Sequence, residues 1–200
     1  MVRFLRFVIA ALTSTLAASV FAINALPVYA TTKPNTAQEI LQDAQTHADQ
    51  QHKLVFFVFG ASWCGPCHAL DDFIAAPEIA PILNKYFVFA EVHIEEENGK
   101  HPELNTPGGE KLMAKFGGLQ GVPFIVFFNS KGELLVTSSR PVAGHRKGDN
   151  IGYPDAPEEI DWFLQMLKKT VPEIQHDELQ KIEAWLRKAS HYPQPAGQVG

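Results

Sequence analysis

From Thr36 to Gln51 the apolar positions recur at helical spacing. Ala37, Ile40, Leu41, Ala44 and Ala48 share one face, and Asn35 or Thr36 is available as a cap. Lys53 to Phe59 breaks that period: Leu54-Val55-Phe56-Phe57-Val58-Phe59 is apolar on both faces, as a central strand covered by helices on each side would be. Helical spacing returns after Trp63-Cys64-Gly65-Pro66-Cys67 and runs through Leu70 and Phe73 to about Ala76. Pro77 can open a further turn through Ile79, Ile82 and Leu83, where Pro81 limits regularity. Tyr86 to Ile94, rich in aromatic and β-branched residues, predicts the next strand.

Polarity then rises. Glu95 to Pro107 is acidic and full of turn formers, which predicts an exposed insertion. A short helix from Gly109 to Phe116 leads through Gly117 to Pro123 into a buried strand, Phe124 to Phe128. Asn129-Ser130-Lys131-Gly132 then turns the chain into Glu133 to Thr137 as an antiparallel hairpin. Ser138 to Pro157 shows neither period and reads as irregular. Glu158 to Thr170 predicts a helix with Ile160, Phe163, Leu164 and Leu167 inward. Thr170-Val171-Pro172-Glu173 has the spacing of a capping box before a last helix carrying Leu179, Ile182, Trp185 and Leu186, and the tail from Tyr192 reads as frayed.

The N-terminus stands apart from this order. Arg3 and Arg6 precede a stretch of about 20 apolar or small residues, Phe7 to Leu26, and Val28-Tyr29-Ala30 approximates a small-x-small cleavage site. The expectation is a signal peptide over residues 1–30, with an uncleaved membrane anchor as its rival, and a periplasmic or secreted address. With no cysteine near its end, this leader does not suggest a lipid anchor. Its removal takes two arginines and no acid, leaving the mature chain more negative than the formal −5 of all 200 residues. An acidic protein without a run of Lys and Arg is not built to bind nucleic acid, and a membrane partner is expected only if the leader stays. With 46% hydrophobic and 20% charged residues, the remainder suits one globular domain with accessory structure.

Two cysteines, Cys64 and Cys67, are all the chain has, so no structural disulfide framework is expected. A strand that delivers a Cys-x-x-Cys to the start of a helix gives the first thiol free N–H donors and the positive end of a helix dipole. Both favour the thiolate, the attacking species in disulfide exchange. Cys64 is then the nucleophile and Cys67, one turn on, the resolving thiol. His68 lies at i+4 from Cys64, where its protonated ring could stabilise that thiolate; the bland alternative is a partly exposed helix residue with little effect.

Trp63-Cys64-Gly65-Pro66-Cys67 is identical to the thioredoxin active-site pentapeptide. With the preceding buried strand and the downstream Gly121-Val122-Pro123, the chain resembles the thioredoxin family over roughly Thr36 to Thr170. The resemblance implies an α/β, thioredoxin-like fold: a central mixed sheet of four to five strands flanked by helices. The domain is expected over 31–170, with an extra C-terminal helix and flexible tail over 171–200. It implies that Pro123 is cis and packs against the cysteine pair, so that Val122 offers its backbone to an extended substrate peptide. Gly65-Pro66 would fix the turn between the sulfurs, and Trp63 would shield them and contact substrate. The implied function is an exported thiol-disulfide oxidoreductase acting on protein disulfides and dithiols. Gly-Pro between the cysteines favours reduction or isomer repair, with cytochrome c maturation as one setting. Such a reductase needs an upstream thiol electron donor, such as a membrane thiol transporter; no flavin or nicotinamide site is visible. One departure stands out: thioredoxins usually carry a buried Asp six residues before the first cysteine, and that position here is Val58. Proton transfer at Cys67 must then use water or another group.

Other chemistries compete for the same residues. Cys64-Gly65-Pro66-Cys67-His68 satisfies the c-type haem attachment pattern, but a haem protein would need a distal ligand, Met113 or Met166, and usually an all-helical shell rather than four or more strands. Cys64, Cys67 and His68 could bind copper or zinc, which makes a metal chaperone, or a protein-interaction module with an incidental redox pair, the alternative to an enzyme. His93, Glu95, Glu97 and His101 lack a recognised ligand spacing and read as a solvated surface, as does the charged segment Arg140 to Lys147.

Overall fold

In the computed structural model, residues 35–96, 100–118 and 121–193 are described; the expected leader and most of the expected tail lie outside them. The first helix, α1 (Ala37–Gln51), begins at Thr36. There the Glu39 carboxylate accepts the Thr36 N–H at 2.7 Å and Thr36 Oγ1 accepts the Glu39 N–H at 3.2 Å. This reciprocal cap satisfies two donors that a helix start leaves open.

The sheet has the order β2-β1-β3-β4. β1 (Leu54–Gly60) pairs parallel with β2 (Phe87–His93) and antiparallel with β3 (Phe124–Phe128), which pairs antiparallel with β4 (Leu134–Thr137). As the central strand, β1 buries both faces. Phe56 and Val58 face a core shared with α2 (Gly65–Ala75), α3 (Ala80–Tyr86), α5 (Pro157–Thr170) and α6 (His176–Ala189), through Leu70, Phe73, Leu83, Phe163 and Ile182. Val55, Phe57 and Phe59 face a second core with Leu41, Ala44 and Ala48 of α1 and with Leu112 and Met113 of α4 (Gly109–Lys115). The period-2 alternation of a strand, with both sets apolar, thus supplies two cores from seven residues. Phe56 is the hub of the first, its ring edge-on to Phe127 at 4.8 Å and to Phe87 at 5.8 Å. Pro81 is accommodated because α3 starts at Ala80, leaving the proline in the first turn, where its missing N–H costs nothing.

Two expectations are corrected. The stretch 138–157 is irregular only after Asn150: before it, β5 (Ser139–Val142) and β6 (His145–Asn150) form a separate antiparallel ladder closed by Ala143-Gly144, with Gly144 at φ +84°. β5 is half-buried except at Pro141, and His145, Arg146 and Lys147 of β6 are exposed, so no apolar alternation announces these strands. The last helix is not capped from Thr170, which ends α5 with its side chain buried. It starts after Gln175, whose N–H is accepted by Glu178 at 3.1 Å, because Val171 and Ile174 are drawn into the core between the two helices. The described residues of the stretch after β2 are exposed or half-buried, as expected of an insertion, with one exception, and the stretch is tied to the domain at its ends. Thr106 N–H donates to the His93 carbonyl, Ala37 N–H donates to the Pro107 carbonyl, and Glu96 is 2% exposed.

Candidate active site

β1 ends at Gly60, and the turn Ala61-Ser62-Trp63 carries the chain onto α2, whose N-cap is Cys64. The Cys64 N–H bonds back to the Ala61 carbonyl at 3.0 Å, and Cys64 Sγ accepts the Cys67 N–H at 3.2 Å. A sulfur thus takes the place that a serine or aspartate oxygen usually fills at a helix start, facing the open donors and the positive end of the dipole. Cys64 and Cys67 are joined as a disulfide, with Cα atoms 5.2 Å apart, and both are almost fully buried. Pro66 sits in the first turn of α2, and Gly65 beside it faces open space.

Across the pair lies the Val122-Pro123 peptide, which is cis. The Val122 carbonyl oxygen is 3.5 Å from Cys64 Sγ, so the fold brings Val122, Pro123 and the cysteine pair together. Asn150, at the end of β6, holds this loop by donating from Nδ2 to the Gly121 and Pro123 carbonyls, each at 3.0 Å. Its own Oδ1 accepts from Ser138 Oγ at 2.7 Å. Sequence reading passed over Asn150 because its strand carries no apolar signal.

The turn before Cys64 is held by the segment that follows β2. Glu96 accepts the Ser62 N–H at 2.9 Å and the Ser62 hydroxyl, and its Oε1 lies 3.0 Å from His93 Nδ1. Burial alone would raise the Glu96 pKa, but the Ser62 hydrogen bonds and His93 together hold it below the usual carboxylate value. Trp63 is exposed, with Nε1 donating to the Glu95 carbonyl at 2.7 Å. His68 Nε2 lies 2.9 Å from the Ser62 carbonyl oxygen, so its ring is engaged across the turn. Ser62 and Glu96 were invisible as site residues: a serine in a turn and one acid among three consecutive acids carry no distinguishing signal.

The remaining candidates are dispersed. His93 pairs with Glu96, His101 with Glu103, and Glu97 lies outside the described residues. Met113 and Met166 are buried in the two cores on opposite faces of the sheet. On the site's flank, burial raises the Asp71 pKa, partly offset by His68, and burial also raises Glu91, with Asp71 adding to it.

A disulfide that caps a helix at the end of a central strand and faces a cis-proline loop belongs to a thioredoxin-like disulfide oxidoreductase fold. Residues 41–139 match the thioredoxin-like domain family, and the chain carries a domain of that family. No curated protein matches the chain significantly. Among solved structures it is similar to a disulphide isomerase from Xylella fastidiosa Temecula1, at 18% identity over 74% of this chain and 87% of that one, with a TM-score of 0.41. It is also similar to DsbH oxidoreductase, at 19% identity over 70% and 85%, with a TM-score of 0.43. A third similarity is to the oxidised C-terminal domain of DsbD from Neisseria meningitidis, at 21% identity over 66% and 98%, with a TM-score of 0.38.

Proposed function

We propose that this protein is an exported thiol-disulfide oxidoreductase that reduces or isomerises protein disulfides through the Cys64–Cys67 couple. The observation that carries the reading is Cys64 at the N-cap of α2, its sulfur already receiving the Cys67 N–H and lying 3.5 Å from the Val122 carbonyl oxygen. In the reduced protein the same N–H and helix end would favour a Cys64 thiolate. An extended substrate peptide alongside Val122, resting on exposed Trp63, would present its disulfide to that thiolate.

Cys64 Sγ attacks one substrate sulfur, a mixed disulfide forms, and the other sulfur leaves as a thiolate that takes a proton from solvent. Cys67, deprotonated, attacks Cys64 Sγ; the Cys64–Cys67 bond closes and the second substrate thiol departs. Two electrons pass from the dithiol to the substrate. A dithiol donor, such as a membrane thiol transporter, returns them by the reverse exchange.

Thiol-driven reduction of a model protein disulfide tests the reaction. Cys67→Ser should accumulate a mixed disulfide through Cys64, and Cys64→Ser should abolish turnover. Wild-type activity in Cys64→Ser would sink the reading in favour of an interaction module, and Cu(I) or Zn(II) binding that blocks exchange would favour a metal chaperone. Export is tested separately, by N-terminal sequencing of protein from the cell envelope, expected to begin at Thr31.

A further inference from the structure

With Val58 in place, β1 offers the resolving cysteine no acid, but the register supplies one from β2. In the parallel β1–β2 ladder the partner of Val58 is Glu91. Partnered residues point to the same face of a sheet, and the face Val58 shares with α2 is the one on which Cys67 sits. Gly60 shows how close the approach is. A Cβ there would collide with Glu91 Oε1 and would lie 3.7 Å from Cys67 Sγ. Glu91 Oε1 therefore fills the space that a side chain at residue 60 would take, over the end of β1, and Cys67 Sγ borders that space, no more than 6.0 Å from the carboxylate oxygen. Over such a separation a proton passes directly or through a single water.

We propose that Glu91 is the general base and acid of the resolving step, moving the proton off and onto Cys67 Sγ; this rests on the oxidoreductase reading above. In the reductive direction Glu91 takes the proton from the Cys67 thiol, and the Cys67 thiolate attacks Cys64 Sγ. The Cys64–Cys67 bond forms, the Cys64–substrate bond breaks, and the departing thiolate is protonated by Glu91 or solvent. During recharging, a donor thiolate attacks Cys64 and Cys67 leaves as a thiolate, which Glu91 protonates. The groups facing Glu91 are Asp71 and His68 on α2, His93 on its own strand and Glu96 beyond that strand's end. Burial, then Asp71, and more weakly Glu96 raise its pKa against the pull of His93 and His68, which brings the carboxylate nearer to a thiol in basicity.

Two substitutions test this: Glu91→Gln, which removes the base, and Gly60→Ala, whose methyl displaces Glu91 Oε1 while meeting Cys67 Sγ at ordinary contact distance. Single-turnover reaction of the reduced protein with a peptide disulfide, followed from about pH 5 to 9, should show bridge closure slowed at least about tenfold in both. Alkylation of Cys64 should stay within about twofold of wild type, since the first step does not use Glu91. An independent readout is the titration of Cys67 in the Cys64→Ser protein. Adding Glu91→Gln should lower that thiol pKa, because a neighbouring negative charge no longer opposes the thiolate. Unchanged closure and an unchanged Cys67 titration in an active protein overturn the proposal alone. Absence of disulfide reduction by the wild type, with the Cys67 shift present, overturns the oxidoreductase reading and the resolving-step role with it.

Discussion

Glu96→Gln probes the post that holds the redox turn. The wild-type carboxylate, 2% exposed, accepts two hydrogen bonds from Ser62 and faces His93 Nδ1 at 3.0 Å. Hydrogen bonds to a charged acceptor contribute about 1.5–3 kcal/mol each, and the cost of burying the charge offsets part of that. Glutamine keeps the shape and one acceptor oxygen but turns an NH2 toward a donor, so the expected loss is about 2–3 kcal/mol, or roughly 4–12 °C in Tm for a domain of this size. The pH dependence gives the sharper check. Because the folded Glu96 pKa lies below its ordinary value, its contribution is fully present above the unfolded carboxylate range and is lost as pH falls through the folded value. Urea denaturation of both proteins from about pH 6 down to pH 3 should show a gap that is largest at pH 6 and narrows with acid. A gap under about 0.5 kcal/mol at pH 6, or one of constant size at pH 3, would refute the account of Glu96 as a buried, ionised anchor.

Other expectations follow from packing and hydrogen bonding. Phe56→Ala, at the hub of the larger core, should cost about 3–5 kcal/mol in denaturant unfolding, and a loss below 2 would mean the ring cluster collapses into the cavity. Asn150→Ala removes both bonds to the cis-proline loop; it should cost about 1–3 kcal/mol and raise KM for a protein disulfide more than it lowers kcat. Gly65→Ala meets nothing within 4 Å at the start of α2, so it should be neutral or stabilise by up to about 1 kcal/mol, measurable as a shift in urea midpoint.

Most of the fold was legible in the sequence because burial wrote it there. The doubly apolar run Leu54 to Phe59, the spacing of Ala37 to Ala48, and the Asn129-Ser130-Lys131-Gly132 turn each state their element in side-chain chemistry. The β5–β6 ladder was not legible, since strands of mixed polar residues, half-buried in β5 and largely exposed in β6, carry no apolar alternation and rest on a tight glycine turn and main-chain pairing. The site divides in the same way. Cys64 and Cys67 announce themselves through spacing and Val122 and Pro123 through the family resemblance, whereas Glu91, Glu96 and Asn150 gain their places only from register and from loops brought back across the sheet. Their residue types are common at any surface, so only three-dimensional proximity separates them from solvated neighbours.

The two cores lie on opposite faces of the sheet, and β1, like β3, is buried in both. A fluctuation that frees one face of this strand strips the other face as well, so no partial opening exposes β1 cheaply. Its amides should exchange with deuterated solvent only when the whole domain unfolds, while those of the β5–β6 ladder exchange far sooner through local fraying. The redox turn therefore follows directly on a strand expected to open late and faces, across the site, a loop held by Asn150 from a ladder expected to open early. If exchange follows that order, the attacking sulfur sits on the rigid side of the site and the surface that receives a substrate on the adjustable side.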